Sequence, residues 1–333
     1  MVYIYKKPLG DKTYYYLRAS EKKGKKLITK DIAYLGSSIE EVKINLEKLS
    51  ECKEKIRKSY KILNTFLESN HFLEKVKKLK IKQDSFLKEK TNEIEACKLH
   101  YSEVFDKLPE LTKKEIFKNY VIEFAYNTTS IEGNTINLEE ARNLLNEGIT
   151  PKDKTLREIY DLQNTEKVFF ELLEKDKIEI DHDLIVYIHD KLLENIDARN
   201  GYRTTDIRVV HSNFDATPGK YVKTDMDLLL KWFKENQNKL HPLVLAIVFH
   251  HKFERIHPFL DGNGRTGRMI ANYILLKKHL PPMIIHKKTR NEYLEAMREA
   301  DESNLWKLEE SKYTDLINYG ISEFIEAYWS LFL

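Results

Sequence analysis

The chain has 333 residues, enough for roughly two domains, and a net charge of +3 from 56 basic and 53 acidic residues. That balance excludes a general electrostatic affinity for nucleic acid or membranes. Two cysteines, Cys52 and Cys97, exclude a disulfide scaffold and lack the spacing of a metal knuckle. No apolar stretch approaches the roughly 20 residues that span a bilayer. The opening MVYIYKKPLG has neither a long apolar run nor a small-residue cleavage site, so a cytoplasmic protein is the expectation.

Residues 1–38 are rich in aromatic and β-branched residues at Val2–Tyr5, Thr13–Leu17 and Leu27–Leu35, broken by turns at Gly10-Asp11 and Lys23-Gly24. This predicts a small three-stranded meander. Lys22, Lys23, Lys25 and Lys26 crowd one turn, among Tyr3, Tyr5, Tyr14, Tyr15 and Tyr16, a mixture able to meet a nucleic-acid backbone. No base-reading motif accompanies it, and a solvated hairpin tip is the simpler reading. From Ser37 to about His100 the composition shifts to Lys, Glu, Leu and Ile with no proline and no glycine, Lys53 interrupting the apolar series. Ser38 and Glu41 predict a capping box, and Val42, Leu46, Leu49, Ile56, Tyr60 and Leu63 recur at helical spacing. Residues 39–108 therefore read as a helical, coiled-coil-like linker of long amphipathic helices turning near Asn70. Such helices serve self-association or pack against their own chain.

After Pro109 the spacing predicts a string of helices forming one domain over 109–333. Thr112 with Glu115 and Asn137 with Glu140 are capping boxes, and Gly133 is a natural helix stop. Further helices fit 153–175 and 181–197. Pro242 suits the first position of LVLAIVFHHKFERI, whose apolar density implies a buried central helix. Arg265 to His279 is helical before Pro281-Pro282, and the last helices hold Tyr293, Ala296 and Met297, then Leu305–Leu308, then Tyr313–Phe332. Between Ile207 and Val222 a β-prone run, a Pro218-Gly219 turn and a second β-prone piece predict a hairpin.

The chemistry concentrates in HPFLDGNGRTGR, His257 to Arg268. Glycines let the backbone approach an anion, the following helix offers its N-terminus, and imidazole, carboxylate and guanidinium complete a phosphate-directed set. GNGRTG also satisfies the dinucleotide pattern G-x-G-x-x-G, but no strand precedes it and no βαβ unit surrounds it. His250, His251 and His257 invite a metal reading. Neighbouring helical residues point about 100° apart, though, so His250 and His251 would not share one ion. His189 lies among apolar neighbours, as a hydrogen-bonded core histidine does.

The stretch 257–268 resembles the Fic-domain signature H-x-F-x-D/E-G-N-G-R-x-x-R at every defined position, and the resemblance covers roughly 110–305. It implies a mainly α, all-helical Fic core with a β-hairpin flap, and transfer of AMP from ATP to a Ser, Thr or Tyr hydroxyl of a target protein. On that resemblance His257 is the general base, Phe259 anchors the loop and Asp261 holds Mg²⁺. Gly262, Asn263 and Gly264 cradle the α- and β-phosphates. Arg265 and Arg268 neutralise the outer phosphates, with Thr266 and Gly267 between them in the nucleotide site.

The same resemblance makes 207–222 the flap, which holds the target segment by strand addition, with Val209, Val210, His211 and Ser212 bordering the nucleotide. Tyr293 and Asp301 belong to the region over the adenine. TTSIEGN fits the family's inhibitory S/T-x-x-x-E-G/N: Thr128, Glu132 and Gly133 would end an inhibitory helix of about 112–133. Thr128 and Glu132, four apart, share a helix face, where the hydroxyl can orient the carboxylate. That carboxylate would pair with Arg268 and displace the γ-phosphate. Transfer of another nucleotide moiety, removal of AMP, and a nucleic-acid-binding regulator with a nucleotide-sensing core are the alternatives. Fic proteins often dimerise, and the 39–100 helices could contribute to a homodimer.

Overall fold

Alternation along the tyrosine-rich N-terminus draws out three antiparallel strands, β1 (Val2–Leu9), β2 (Lys12–Lys23) and β3 (Lys26–Gly36), in the order β1-β2-β3. The computed structural model describes residues 1–10, 12–23, 26–49, 52–174, 179–209 and 214–333, with backbone alone at 23 and 27. The expected turn positions Asp11 and Gly24 lie outside these. One face of the sheet buries Val2, Ile4, Tyr15, Leu17 and Leu35 against Ile39, Val42 and Leu46 of α1 (Ile39–Lys48) and Leu63 of α3 (Tyr60–Lys78).

The α1 cap is half of the expected box. The Ser38 hydroxyl accepts from the Glu41 N–H at 3.2 Å, while the Glu41 carboxylate reaches past Ser38 to the Ser37 N–H at 2.7 Å. No turn forms at Asn70. Its amide donates to the Phe66 carbonyl one turn back, so α3 runs through it. The break comes earlier, after the short α2 (Lys53–Lys58), where the Ser59 hydroxyl accepts from the Val2 N–H at 3.2 Å.

The chain divides into two compact units, one of residues 1–82 with 95–100 and 333, the other of 83–94 with 101–332. After α4 (Thr91–Glu103), the helices are α5 (Glu110–Ile131), α6 (Leu138–Glu147), α7 (Leu156–Glu174), α8 (His182–Leu192), α9 (Val222–Asn236), α10 (Pro242–Ile256), α11 (Asn263–Lys277), α12 (Arg290–Asp301) and α13 (Glu310–Leu331). Asn137 and Glu140 form the full capping box of α6, whereas α5 starts at Glu110 behind Pro109 and leaves Thr112 inside the helix. Pro242 opens α10, which is buried from Leu243 to Phe253 and packs against α9, α11 and α13.

Burying that helix requires partners for its polar side chains. The His251 ring lies 3.0 Å from both the Tyr313 hydroxyl and Asp301 Oδ1. Lys252, whose pKa burial pushes down to about 8, donates to the carbonyls of Leu305 and Lys307. Carbonyls turned to that ammonium are not in a helix, so the expected Leu305–Leu308 helix is a turn. Among the described residues of 207–222 no strand forms either, and 219–221 is a short 3-10 turn. Side chains hold this segment instead of ladder bonds: Asp206 accepts from the Gly219 N–H at 2.7 Å, and Arg203 donates to the carbonyls of Thr205 and Thr217. Among the described residues no helix is long and apolar enough to cross a membrane.

Candidate active site

The site is built where α10 ends and α11 begins. His257 caps α10 in the left-handed region, φ +52°, which turns its side chain out of the helix line. Its Nδ1–H donates to the Glu254 carbonyl at 3.2 Å, leaving Nε2 with the lone pair. Burial pushes the His257 pKa down, so the ring stays neutral and basic in form. Arg203 fixes the position from behind, donating from Nε to the His257 carbonyl at 2.7 Å and from Nη2 to the Ile256 carbonyl at 3.2 Å.

The loop itself is clamped by Asn263. Its Oδ1 accepts from the Phe259 N–H and its Nδ2 donates to the Phe259 carbonyl, both at 2.9 Å. The amide expected on the phosphates is thus occupied within the loop, and the first turn of α11 is left to present its backbone N–H groups. Phe259 is fully buried and stacks on His189 at 3.6 Å between ring centres. His189 is the hydrogen-bonded core histidine expected: it lies 2.7 Å from Asp190 Oδ1 and 3.1 Å from the Asp261 carbonyl. His250 and His251 also diverge, His250 lying 2.7 Å from the Tyr293 hydroxyl. Gly262 takes φ +77° as the N-cap of α11.

Charge is arranged in two clusters. Asp261 accepts from its own following N–H at Gly262 (2.6 Å), from Arg265 Nη2 (3.2 Å) and from Arg157. Burial works to raise the Asp261 carboxyl, but Arg265 and Arg157 outweigh it and hold it below the ordinary carboxylate range. Arg265, expected on the outer phosphates, is itself buried and pairs with the buried Asp161 of α7 as well as with Asp261. Burial pushes the Asp161 carboxyl up against the pull of these arginines.

The second cluster centres on Arg268. Its Nε donates to Thr128 Oγ1 at 2.8 Å, and its Nη2 donates to the Thr128 carbonyl at 3.0 Å and to Glu132 Oε1 at 2.6 Å. Thr128 does not hold the carboxylate directly; both residues hold Arg268. Glu132 caps α5 just past Ile131, and Gly133 follows at φ +105°. The carboxylate comes so close to α11 that a Cβ at position 264 would meet Glu132 Oε1 and displace it.

His257, Gly264, Arg268, Glu132, Tyr293, Asp301 and Val209 line one cleft of about 220 Å³. Val210, His211 and Ser212 lie outside the described residues. Asp261 opens instead onto a neighbouring cleft with Asp197 and Arg199. Gly267 packs against the His250 ring and Thr266 is fully buried, so both shape α11 rather than the cleft wall. Tyr293 is buried with its hydroxyl on His250, and Asp301 is held by His251.

Residues 179–275, which hold this loop and the helices around it, match the model of the Fic/DOC family. The fold here is the Fic fold. The chain is 30% identical over 187 residues to protein adenylyltransferase fic-1 of Caenorhabditis elegans, covering 55% of this chain and 37% of that one. It is 29% identical over 202 residues to protein adenylyltransferase Fic of Drosophila melanogaster, covering 58% and 39%. The chain therefore spans less than half the length of these relatives. A Fic-domain signalling protein of Bacteroides thetaiotaomicron superposes with a TM-score of 0.63 at 23% identity, over 70% of this chain and 94% of that one. Residues 134–508 of C. elegans Fic-1 give 0.59 at 22%, over 88% and 75%. These likenesses show the shared fold.

Four further residues of this site lie outside every motif of the sequence. Arg157 and Asp161 stand about a hundred positions before the loop they hold, and Arg203 works through backbone carbonyls that no motif marks. Glu254 is the fourth. It stands half-buried in the cleft wall, with Oε2 at 4.0 Å from His257 Nδ1 and, among the described residues, no hydrogen-bond partner for the buried Oε1. Burial, with Glu132 adding to it, pushes its carboxyl up to about 8. A signal was available: the one acidic residue of a largely buried helix, three positions before the histidine.

Proposed function

We propose that this chain is a protein adenylyltransferase, moving AMP from MgATP to a Ser, Thr or Tyr hydroxyl of a target protein, and that Glu132 holds it off. The carrying observation is the Glu132–Arg268 pair at 2.6 Å in the cleft that also holds His257. The hydroxyl proton passes to His257 Nε2 as oxygen attacks the α-phosphorus and the bond to the departing pyrophosphate breaks. The neutral ring with Nδ1 committed to a carbonyl suits that role. The first turn of α11 offers its N–H groups to the phosphates, and the glycine at 264 admits them closely. Arg268 is the natural partner of the terminal phosphate, and Glu132 competes for the same guanidinium.

Asp261 suits Mg²⁺: one partly exposed carboxylate is enough when phosphate oxygens supply other ligands. Bound there, Mg²⁺ would neutralise phosphate charge. Its binding competes with Arg157, which is half exposed and free to swing into water. Names of the relatives agree with the reaction, but the chain covers under half of each. The partly exposed Glu132 also suits a second reading, in which it positions water for removal of AMP.

Intact-mass measurement after incubation with MgATP and a cell lysate tests the proposal. Glu132→Gly should add AMP to itself or to a lysate protein, the wild type little, and Glu132→Gly/His257→Ala none. Absence of any AMP adduct with Glu132→Gly overturns it. Loss of AMP from a pre-modified target with the wild type alone would favour the second reading.

A further inference from the structure

The N-terminal sheet has a second face. Strand alternation sends Tyr3, Tyr5 and Lys7 of β1 away from the buried Val2 and Ile4, and the register sets Tyr3 beside Arg18, Tyr5 beside Tyr16 and Lys7 beside Tyr14. On β3, Tyr34 pairs with Tyr16. The ring centres of Tyr16 and Tyr34 lie 5.4 Å apart and those of Tyr14 and Tyr34 6.4 Å apart, and Tyr34 is 53% exposed. The Arg18 guanidinium sits 3.5 Å over the Tyr5 ring. The solvated face of an antiparallel sheet is ordinarily polar; here it is a continuous aromatic array.

The charge around it is one-sided. Residues 1–38 hold nine lysines and arginines against three acids, a net +6, so the remainder of the +3 chain carries −3. Asp31 is consumed by Arg18, at 2.6 Å and 3.2 Å. Lys7, Lys12 and Lys22, in phase with Tyr14, Tyr16 and Arg18 along their strands, form no ion pair among the described residues. Overall charge conceals this local excess. Exposed rings invite any amphipathic partner, but the uncompensated lysines around them call for a polyanion with flat aromatic units of its own. Duplex bases are stacked internally and present no free faces, whereas a single strand does.

We propose that the outer face of β1–β3 binds single-stranded nucleic acid, with bases stacked on Tyr14, Tyr16 and Tyr34 and phosphates held by the flanking lysines. Stacking reads no sequence, so binding is sequence-tolerant and salt-dependent. The family match at 179–275 lies wholly outside this face, and the proposal stands independently of the transferase reading.

The test is fluorescence anisotropy with the full-length protein and labelled oligothymidylate and oligouridylate of about 20 nucleotides, beside a duplex of equal length. Both single strands, or one, should bind more tightly than duplex, and the tighter names the natural ligand. Tyr34→Ala and Tyr14→Ala should each weaken binding about tenfold, while Tyr34→Phe keeps it. Lys7→Gln/Lys22→Gln should flatten the dependence of log Kd on log salt by about 1.4. Circular dichroism of each variant secures the fold. No binding at low salt, duplex bound as tightly as single strands, or Tyr→Ala variants that fold and bind normally would overturn the proposal.

Discussion

Arg265 and Arg268 sit one turn apart on α11, both nearly fully buried, and both end on carboxylates. Their partners differ in burial. Asp161, which meets Arg265, is itself buried, whereas the Glu132 side chain that meets Arg268 is 42% exposed. A buried partner cannot leave without stranding a charge; a half-exposed one can be rehydrated where it stands. The same residue type in the same signature therefore serves as a strut at 265 and, on our proposal, as a gate at 268.

Removing the strut's partner should have the largest effect. Asp161→Ala leaves Arg265 buried beside Asp261 alone, and we expect about 3–5 kcal/mol of destabilisation in urea unfolding. Glu132→Ala should lose no more than about 1 kcal/mol, because Thr128 keeps two bonds to Arg268. Equal losses would break the comparison.

Glu254 is the contrasting carboxyl, one with no hydrogen-bonded guanidinium. Its folded pKa of about 8 is raised by burial, so its contribution to stability is fully present below the ordinary glutamate range and is lost as pH rises through about 8. Thermal unfolding of the wild type should weaken from pH 5 to pH 8 by a few kcal/mol, and Glu254→Gln should flatten that slope. A parallel slope in the variant would show that another group carries the dependence.

Nucleotide affinity sharpens the gate itself. Glu132→Gly should tighten ATP about tenfold by calorimetry, about 1.4 kcal/mol, and Arg268→Ala in the same background should remove the gain. Unchanged affinity would leave Arg268 as much a strut as Arg265. The smallest effect belongs to Arg157→Ala. Its half-exposed pair with Asp261 should contribute about 0–1 kcal/mol to stability, while the Mg²⁺ concentration needed for ATP binding falls.

The features legible in the sequence were contiguous ones. The Asn137–Glu140 box and Pro242 at the head of α10 each carry their cause within a few residues, and the structure follows them. Long-range partners were not legible. Nothing near Arg157 or Asp161 announces Asp261 or Arg265, and the turn at 305–308 is explained only by Lys252, some fifty positions earlier. Asn263 shows a subtler limit: the residue was marked, but its amide spends both bonds on Phe259. A motif names residues, and packing decides which atoms remain available.

The close approach of Glu132 to Gly264 has a further consequence. Positions 132 and 264 are coupled sterically: a side chain at 264 would push the Glu132 carboxylate, which is 42% exposed, away from its present place on Arg268. If the pair is a silencing device, the two positions are not free to drift separately. A lineage that gained an alanine at 264 would lose its restraint in the same step in which it narrowed its phosphate cradle.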